Sequence, residues 1–212
     1  MQIERLSFRD FWYTRWGKRV LDLLLTVPIL LALLPFWPIL WLLVRWGVGK
    51  PVLIRQERVG YRGKRFTLYK LRTLRDGVQV EERNKVRADD PRLTSAGRWL
   101  RAWSLDELPQ LWNVLRGEMS LVGPRPLLPE DLPEESTWPH MLRHQVRPGL
   151  TGWAQVNGRN ALNPERRDVL DSWYVQRLSP SLDLRILLRT LLELVRKNGV
   201  WHDETPSLRD SG

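Results

Sequence analysis

The sequence predicts a mainly helical α+β protein. An N-terminal, proline-broken helix re-enters the membrane, and interfacial amphipathic helices and a small β-hairpin surround a cytoplasmic core. Three observations carry this reading. Leu23 to Val44 contains no charged residue, and ~20 apolar residues suffice for a helix to cross a bilayer. Lys and Arg are dense on both flanks of that stretch, and the positive-inside rule assigns such flanks to the cytoplasmic side. The rest of the chain alternates short strand-like runs with helical periods bounded by caps and Gly or Pro stops.

Composition narrows the partners. Among 212 residues, 34 Lys+Arg against 24 Asp+Glu give a net charge of +10. This favours a polyanion: nucleic acid, a phosphorylated ligand or anionic lipid. The absence of cysteine excludes disulfides, thiolate metal sites and cysteine nucleophiles. Three histidines, His140, His144 and His202, leave little for a histidine-rich metal centre. Tryptophan, 12 against 4 Phe and 4 Tyr, favours places where one end of a ring is apolar and the other wet, such as membrane interfaces.

In chain order, Phe8, Phe11, Trp12, Arg15 and Trp16 recur at helical spacing as an amphipathic interfacial lead-in. The apolar run follows, with Pro28, Pro35 and Pro38 inside it. Pro35 and Pro38 each remove a backbone donor, and together they bend or break the helix near its middle. A plain spanning anchor would tolerate that kink, but basic flanks on both sides favour a hairpin that enters and leaves on one face. Pro51–Gln56 and Arg65–Thr73 read as two strands joined by a turn at Gly60–Gly63. Residues 75–92 form a charged loop. One helix starts at Thr94 or Ser95 and runs to about Trp103; a second runs from Ser104 or Asp106 to Leu115 and stops before Gly117. Residues 117–160, rich in Gly and Pro, read as irregular. Asn163 or Pro164 opens a helix to about Gln176, and Leu182–Lys197 forms the last, with Gly199 as its stop. In it Arg185, Arg189, Glu193 and Arg196 make a narrow polar stripe on an otherwise aliphatic helix, which suits either a core or a membrane surface.

The stretch from Ser104 to Leu115 is where chemistry could sit. Leu105, Leu108, Leu111, Trp112 and Leu115 share one helical face, with Asp106, Gln110 and Asn113 opposite. Pro109 belongs in or near a first turn, which places Asp106 and Glu107 at the positive end of a helix dipole. The same letters also match an ordinary capping box, Ser104-x-x-Glu107. Downstream, Arg125 and Arg147 each sit in a Pro-constrained, Gly-containing loop. Rigidly presented guanidinium forks suit bidentate phosphate binding.

The motifs Lys18–Asp22, Phe66–Thr73, Arg101 with Ser104–Pro126, and Arg147–Arg159 run in an order that resembles the bacterial sugar transferases, the small monotopic polyprenyl-phosphate phosphoglycosyl transferases. The likeness extends from about Lys18 to Gly199. It implies transfer of a phospho-sugar from a UDP-sugar to undecaprenyl phosphate, releasing UMP, as the first membrane step of glycoconjugate assembly. Asp106 would be the nucleophile that forms an aspartyl-phosphosugar intermediate, a carboxylate role known from covalent catalysis. Glu107 would support it or, with Asp106, hold Mg²⁺, which carboxylates and substrate phosphates bind together. Lys70, Arg72, Arg101, Arg125 and Arg147 would neutralise phosphate, and Gln155, Asn157 and Arg159 would meet the nucleotide-sugar.

The resemblance further implies residues 1–47 as lead-in and re-entrant helix, 48–200 as a cytosolic catalytic domain, and 201–212 as a disordered tail. The protein would lie on the cytoplasmic face of the bacterial inner membrane, among membrane lipid. Nucleic acid drops out as a partner, and a homodimer is compatible. One departure stands: where the family breaks its helix at a Ser-Pro pair, this chain has Trp37-Pro38. Two other classes compete, a basic non-enzymatic membrane adaptor and a phosphotransferase acting on another lipid head group.

Overall fold

The computed structural model describes residues 12–75, 90–134, 137, 141–158 and 162–196. Phe8, Phe11, Arg159, Gly199 and the tail from 201 therefore lie outside the described residues. Helical structure runs from Tyr13 to Gly47, as a π-turn (Tyr13–Gly17), helix α1 (Lys18–Leu33), a 3-10 turn (Leu34–Phe36) and helix α2 (Trp37–Gly47). Pro28 lies inside α1, Pro35 within the 3-10 turn and Pro38 near the start of α2. The chain absorbs the lost donors at Pro35 and Pro38 by tightening locally. Leu33 (φ −81°, ψ −18°) and Phe36 (φ −90°, ψ −15°) both stay in the right-handed helical region.

Both arms of this helix pack on the same body. In α1, Lys18, Asp22 and Thr26 recur every four residues and all three are buried, so the polar stripe of an otherwise aliphatic helix faces protein. In α2, Leu40 and Val44 join Val48, Val52, Leu71 and Leu100 in one apolar cluster. The outer side stays exposed, with Leu24, Leu31, Ile39, Trp41 and Trp46 among its residues.

The hairpin forms as expected, with strands β1 (Leu53–Val59) and β2 (Arg65–Leu71) antiparallel and Ile54 opposite Lys70. Helix α3 (Ser95–Ala102) starts where Thr94 Oγ1 accepts the Gly97 N–H at 2.9 Å, a regular N-cap. Helix α4 (Gln110–Arg116) stops at Gly117, which takes φ 76° and donates its N–H to Val114 O. The stretch expected to be irregular instead contains strands β3 (Ser120–Val122) and β4 (Gly149–Thr151), paired in parallel. Glycine is required there, because a Cβ on Gly149 would lie 2.0 Å from Gly123 N.

Helix α5 (Pro164–Gln176) is capped by Asn163 Oδ1, which accepts the Arg166 N–H, and helix α6 (Pro180–Arg196) follows. This last helix is core on one side and exposed on the other. Leu182 and Ile186 are buried in the main core with Leu111, Val114, Met119 and Tyr174, while Leu184, Leu188, Leu191 and Leu192 are exposed. At the root of α1, Asp183 gathers three donors: Lys18 Nζ, Tyr13 OH at 2.7 Å and Tyr174 OH at 2.7 Å. Asp22 Oδ1 accepts Ser120 Oγ and the Leu121 N–H, each at 2.9 Å.

Candidate active site

Asp106 and Glu107 do not open a capped α-helix. They occupy a 3-10 turn, Leu105–Glu107, ahead of α4, and Pro109 is the helix N-cap. Ser104 takes the left-handed conformation (φ 53°, ψ 24°) and its side chain makes no capping bond, so the capping-box expectation is corrected. An αL serine cannot aim its hydroxyl at the N3 amide as an extended N-cap does. The Ser104 carbonyl accepts the Glu107 N–H instead.

The polar face of this stretch is covered as well as the apolar one. Asp106, Gln110 and Asn113 are buried, as is Leu111, whereas Trp112 is 51% exposed. Asn113 explains why the polar side is covered. Its Nδ2 donates to Thr67 O at 2.7 Å and to Glu118 at 2.7 Å, and its Oδ1 accepts the Tyr69 N–H at 3.3 Å. The polar side of α4 therefore docks on β2, and that docking sets Lys70 against the carboxylates. Lys70 Nζ lies 2.8 Å from Asp106 Oδ2 and 3.9 Å from Glu107 Oε1. Lys70 is thus the close cationic partner of the Asp106 carboxylate, in the turn that leads into α4.

Arg125, from the loop after β3, reaches Glu107 Oε1 at 3.2 Å. Burial works against ionising Glu107, but Arg125 and Lys70 outweigh it and hold the carboxyl below its usual range. Glu107 in turn raises Arg125. Arg58, Lys70, Glu107, Gln110, Arg125 and Gln56 line one cleft.

The other expected phosphate ligands spread out. Arg101 donates from Nε to Thr73 Oγ1 at 2.9 Å. Burial lowers its pKa, while Asp106 and Glu107 pull it back up, so it acts on the pair through space. Arg72 gives its backbone N–H to Val52 O and is not among the cleft residues. Arg147 does not join Asp106. Its Nε donates to Gly117 O at 2.8 Å, past the far end of α4, where seven helical residues separate the two sites by about 10 Å. There it neighbours Arg19, whose guanidinium caps the Val114 and Leu115 carbonyls. In the turn after β4, Gln155 buries both amide atoms without a hydrogen-bond partner among the described residues, and Asn157 Nδ2 donates to Trp153 O.

Gln56, Arg58 and Asn113 were missed by sequence reasoning. A signal existed for the first two, because the two-residue alternation of β1 puts Gln56 and Arg58 on one face with Ile54.

Comparison with known proteins supplies the lineage. The family model described as bacterial sugar transferase matches residues 13–197. The chain is 49% identical over 157 residues to the Uncharacterized sugar transferase EpsL of Bacillus subtilis, covering 74% of this chain and 76% of that one. It is 42% identical over 185 residues to the Undecaprenyl-phosphate glucose phosphotransferase of Komagataeibacter xylinus, covering 82% of this chain and 35% of that protein. Against the UDP-glucose:undecaprenyl-phosphate glucose-1-phosphate transferase of Escherichia coli it is 38% identical over 187 residues, covering 83% of this chain and 39% of that protein. The chain thus spans well under half the length of these last two relatives.

Proposed function

The chain belongs to the bacterial sugar transferase family, and from that premise we propose that it transfers a phospho-sugar from a UDP-sugar to undecaprenyl phosphate through a covalent intermediate on Asp106. The observation that carries this reading is the Lys70–Asp106–Glu107–Arg125 chain at the cleft, a buried carboxylate ion-paired with cations that can turn to phosphate. Relatives named for undecaprenyl-phosphate sugar transfer support the substrate class.

In the first step an Asp106 oxygen attacks the sugar-bearing phosphorus and UMP departs. Lys70 is drawn from Asp106 toward the phosphoryl oxygens as negative charge moves onto them, and Arg125 and Arg101 add positive potential from either side. In the second step the lipid phosphate attacks the same phosphorus and regenerates Asp106. Splitting the displacement in two lets one cleft serve a soluble donor and a lipid acceptor in turn.

A divalent cation fits this donor set. Glu107 lines the cleft beside Asp106, and among the described residues no group of three or more acidic or histidine ligands exists. Mg²⁺ is commonly held by one or two carboxylates completed by substrate phosphates and water. Glu107, with Asp106, would hold it, and it would supply charge neutralisation to the diphosphate.

The membrane reading rests on the helix whose two arms pack on one body. A chain that crossed the bilayer once would carry its α2 arm away from the domain that α1 touches through Asp22, yet Val44 packs with Leu100 and Leu71. This supports a re-entrant, monotopic helix on the cytoplasmic face of the inner membrane, with Pro35 and Pro38 at the bend and residues 48–200 as the catalytic domain. The exposed leucines of α6 extend the membrane-facing surface.

The chemical test is UMP release from a panel of UDP-sugars with undecaprenyl phosphate and Mg²⁺. Asp106→Asn is expected to abolish turnover and the phospho-sugar adduct seen by intact-protein mass spectrometry; normal turnover by this variant rejects the assigned nucleophile. For topology, cysteines placed singly at the exposed Trp16 and Trp46 positions should be labelled from the same side of the membrane. Labelling from opposite sides overturns the re-entrant reading.

A further inference from the structure

Two of the three cations of the cleft have a carboxylate, Lys70 with Asp106 and Arg125 with Glu107. The third, Arg58, has no salt bridge among the described residues. Among the described residues its side chain's one hydrogen bond runs from Nη2 to the Gln56 amide oxygen at 3.0 Å, and its Nε is buried with no acceptor there. Alternation along β1 turns Ile54, Gln56 and Arg58 inward, while Leu53, Arg55 and Glu57 face solvent. An inward strand position is ordinarily apolar, so two consecutive polar ones mark a face built for something other than packing. Burial first, then the like charge of Arg125, pushes the Arg58 guanidinium down to about 10, against the weaker pull of Asp131, Glu107 and Glu130. A guanidinium seated beside another, with no carboxylate of its own and with an unused buried donor, is costly unless an anionic ligand completes it. A role limited to packing needs only the aliphatic stem and gives no reason to seat the charge beside Arg125.

We propose that Arg58, with Arg125 across the cleft, binds the phosphate of the nucleoside monophosphate that departs when the sugar-bearing phosphorus passes to Asp106. This rests on the transfer reaction proposed above and deepens it by assigning the leaving-group end of the cleft. In an in-line displacement the entering and leaving oxygens lie on opposite sides of the phosphorus. Lys70 marks the entering side by its contact with Asp106. Arg58 lies four residues along β1 from Ile54, the residue paired with Lys70, which is about 13 Å of strand. Long side chains reaching in from both positions can bracket a diphosphate. The Asp106 oxygen–phosphorus bond forms, and the bond from that phosphorus to the bridging oxygen breaks. The electron pair leaves with the monophosphate, so its charge grows where Arg58 waits; no proton or further reactant is required.

The test uses the full chain in nanodiscs, with Arg58→Met, which keeps the stem and removes the charge, and Arg55→Met on the outward face of the same strand as control. Binding of UMP alone and of uridine alone is measured by calorimetry, and UMP formation in a single turnover. Arg58→Met is expected to weaken UMP by about tenfold or more and leave uridine unchanged. It should slow UMP formation on the order of 10²-fold, the scale of losing one charge-stabilising donor. Wild-type UMP affinity and rate in Arg58→Met overturn the assignment, as does an equal loss of UMP and uridine binding, which marks general damage. Should Arg58→Met fail to fold, Arg58→Gln decides by the same readouts. Asp106→Asn separates the two proposals: normal turnover there removes the nucleophile assignment, while the UMP-against-uridine comparison still judges Arg58.

Discussion

Two regions of the molecule bury charge, and they balance it differently. At the root of α1, Asp183 is met by Lys18, Tyr13 and Tyr174, and Asp22 by Ser120 and the Leu121 amide. Every member has a partner and the cluster lies between elements, away from the cleft. At the cleft, Asp106 and Glu107 face Lys70 and Arg125, and Arg58 is left over. A closed set of hydrogen bonds fixes one arrangement of the chain and resists change. A set with surplus positive charge opening to solvent is completed only when an anion arrives. The first region ties the apolar N-terminal helix to α6 and β3, and the second leaves one cation without a carboxylate of its own.

The largest effect expected from this contrast is on folding. Asp183→Ala strips the partner from Lys18 and from the buried Tyr13 hydroxyl, and leaves the Tyr174 hydroxyl only the longer contact to Val122 O. Breaking a buried pair from one side costs about 3–5 kcal/mol. Thermal unfolding in detergent should show most of the folded population lost. A variant that melts as the wild type does would break the contrast, since the cluster would then be dispensable.

Lys70→Met probes the other region and sharpens the same point. Asp106 keeps the through-space influence of Arg101 and Arg125, so the stability loss should be smaller, about 1–3 kcal/mol. UMP formation should fall by about 10²–10³-fold. If instead Asp183→Ala and Lys70→Met show the same ratio of lost stability to lost rate, the two regions do not differ in kind.

How far the sequence disclosed these regions depends on the range of the interactions that made them. The hairpin, α3 and α5 were legible because Thr94, Asn163–Pro164 and the Gly60–Gly63 turn act within a few residues. Gly117 likewise stops α4 by its own left-handed backbone. Asp106 and Glu107 were legible by motif, but their surroundings were not. Ser104 was read as a cap because its letters fit, whereas its backbone turns the other way. Asn113 falls opposite the leucine face by helical periodicity, which cannot see the strand 44 to 46 residues earlier that pairs with it. The β3–β4 pair was invisible for the same reason, being two three-residue strands joined only through long-range contact. Arg147 was grouped with Asp106 by resemblance, and its guanidinium is instead held at Gly117.

A third buried cluster tests the balance rule with the opposite sign. Arg143 is shared between Asp168 and Asp171, and also donates to the Arg125 carbonyl at 3.1 Å, so one cation serves two carboxylates. Asp171 is buried and its Oδ1 has no hydrogen-bond partner among the described residues. Burial pushes its carboxyl up to about 6; Arg143 opposes this, Asp168 adds to it and Arg167 opposes it again. An unfolded aspartate titrates near ~3.9. Between those values the folded chain holds a proton that the unfolded chain has released. The contribution of Asp171 to stability is therefore fully present below about pH 4 and is lost as pH rises through about 6. Unfolding midpoints of the wild type and Asp171→Asn, taken from pH 4 to 7.5, should diverge, the wild type losing ground to the variant as pH rises. Parallel curves would mean that Arg143 fully compensates both carboxylates and that this cluster carries no uncompensated negative charge, which would remove its contrast with the cation-rich cleft.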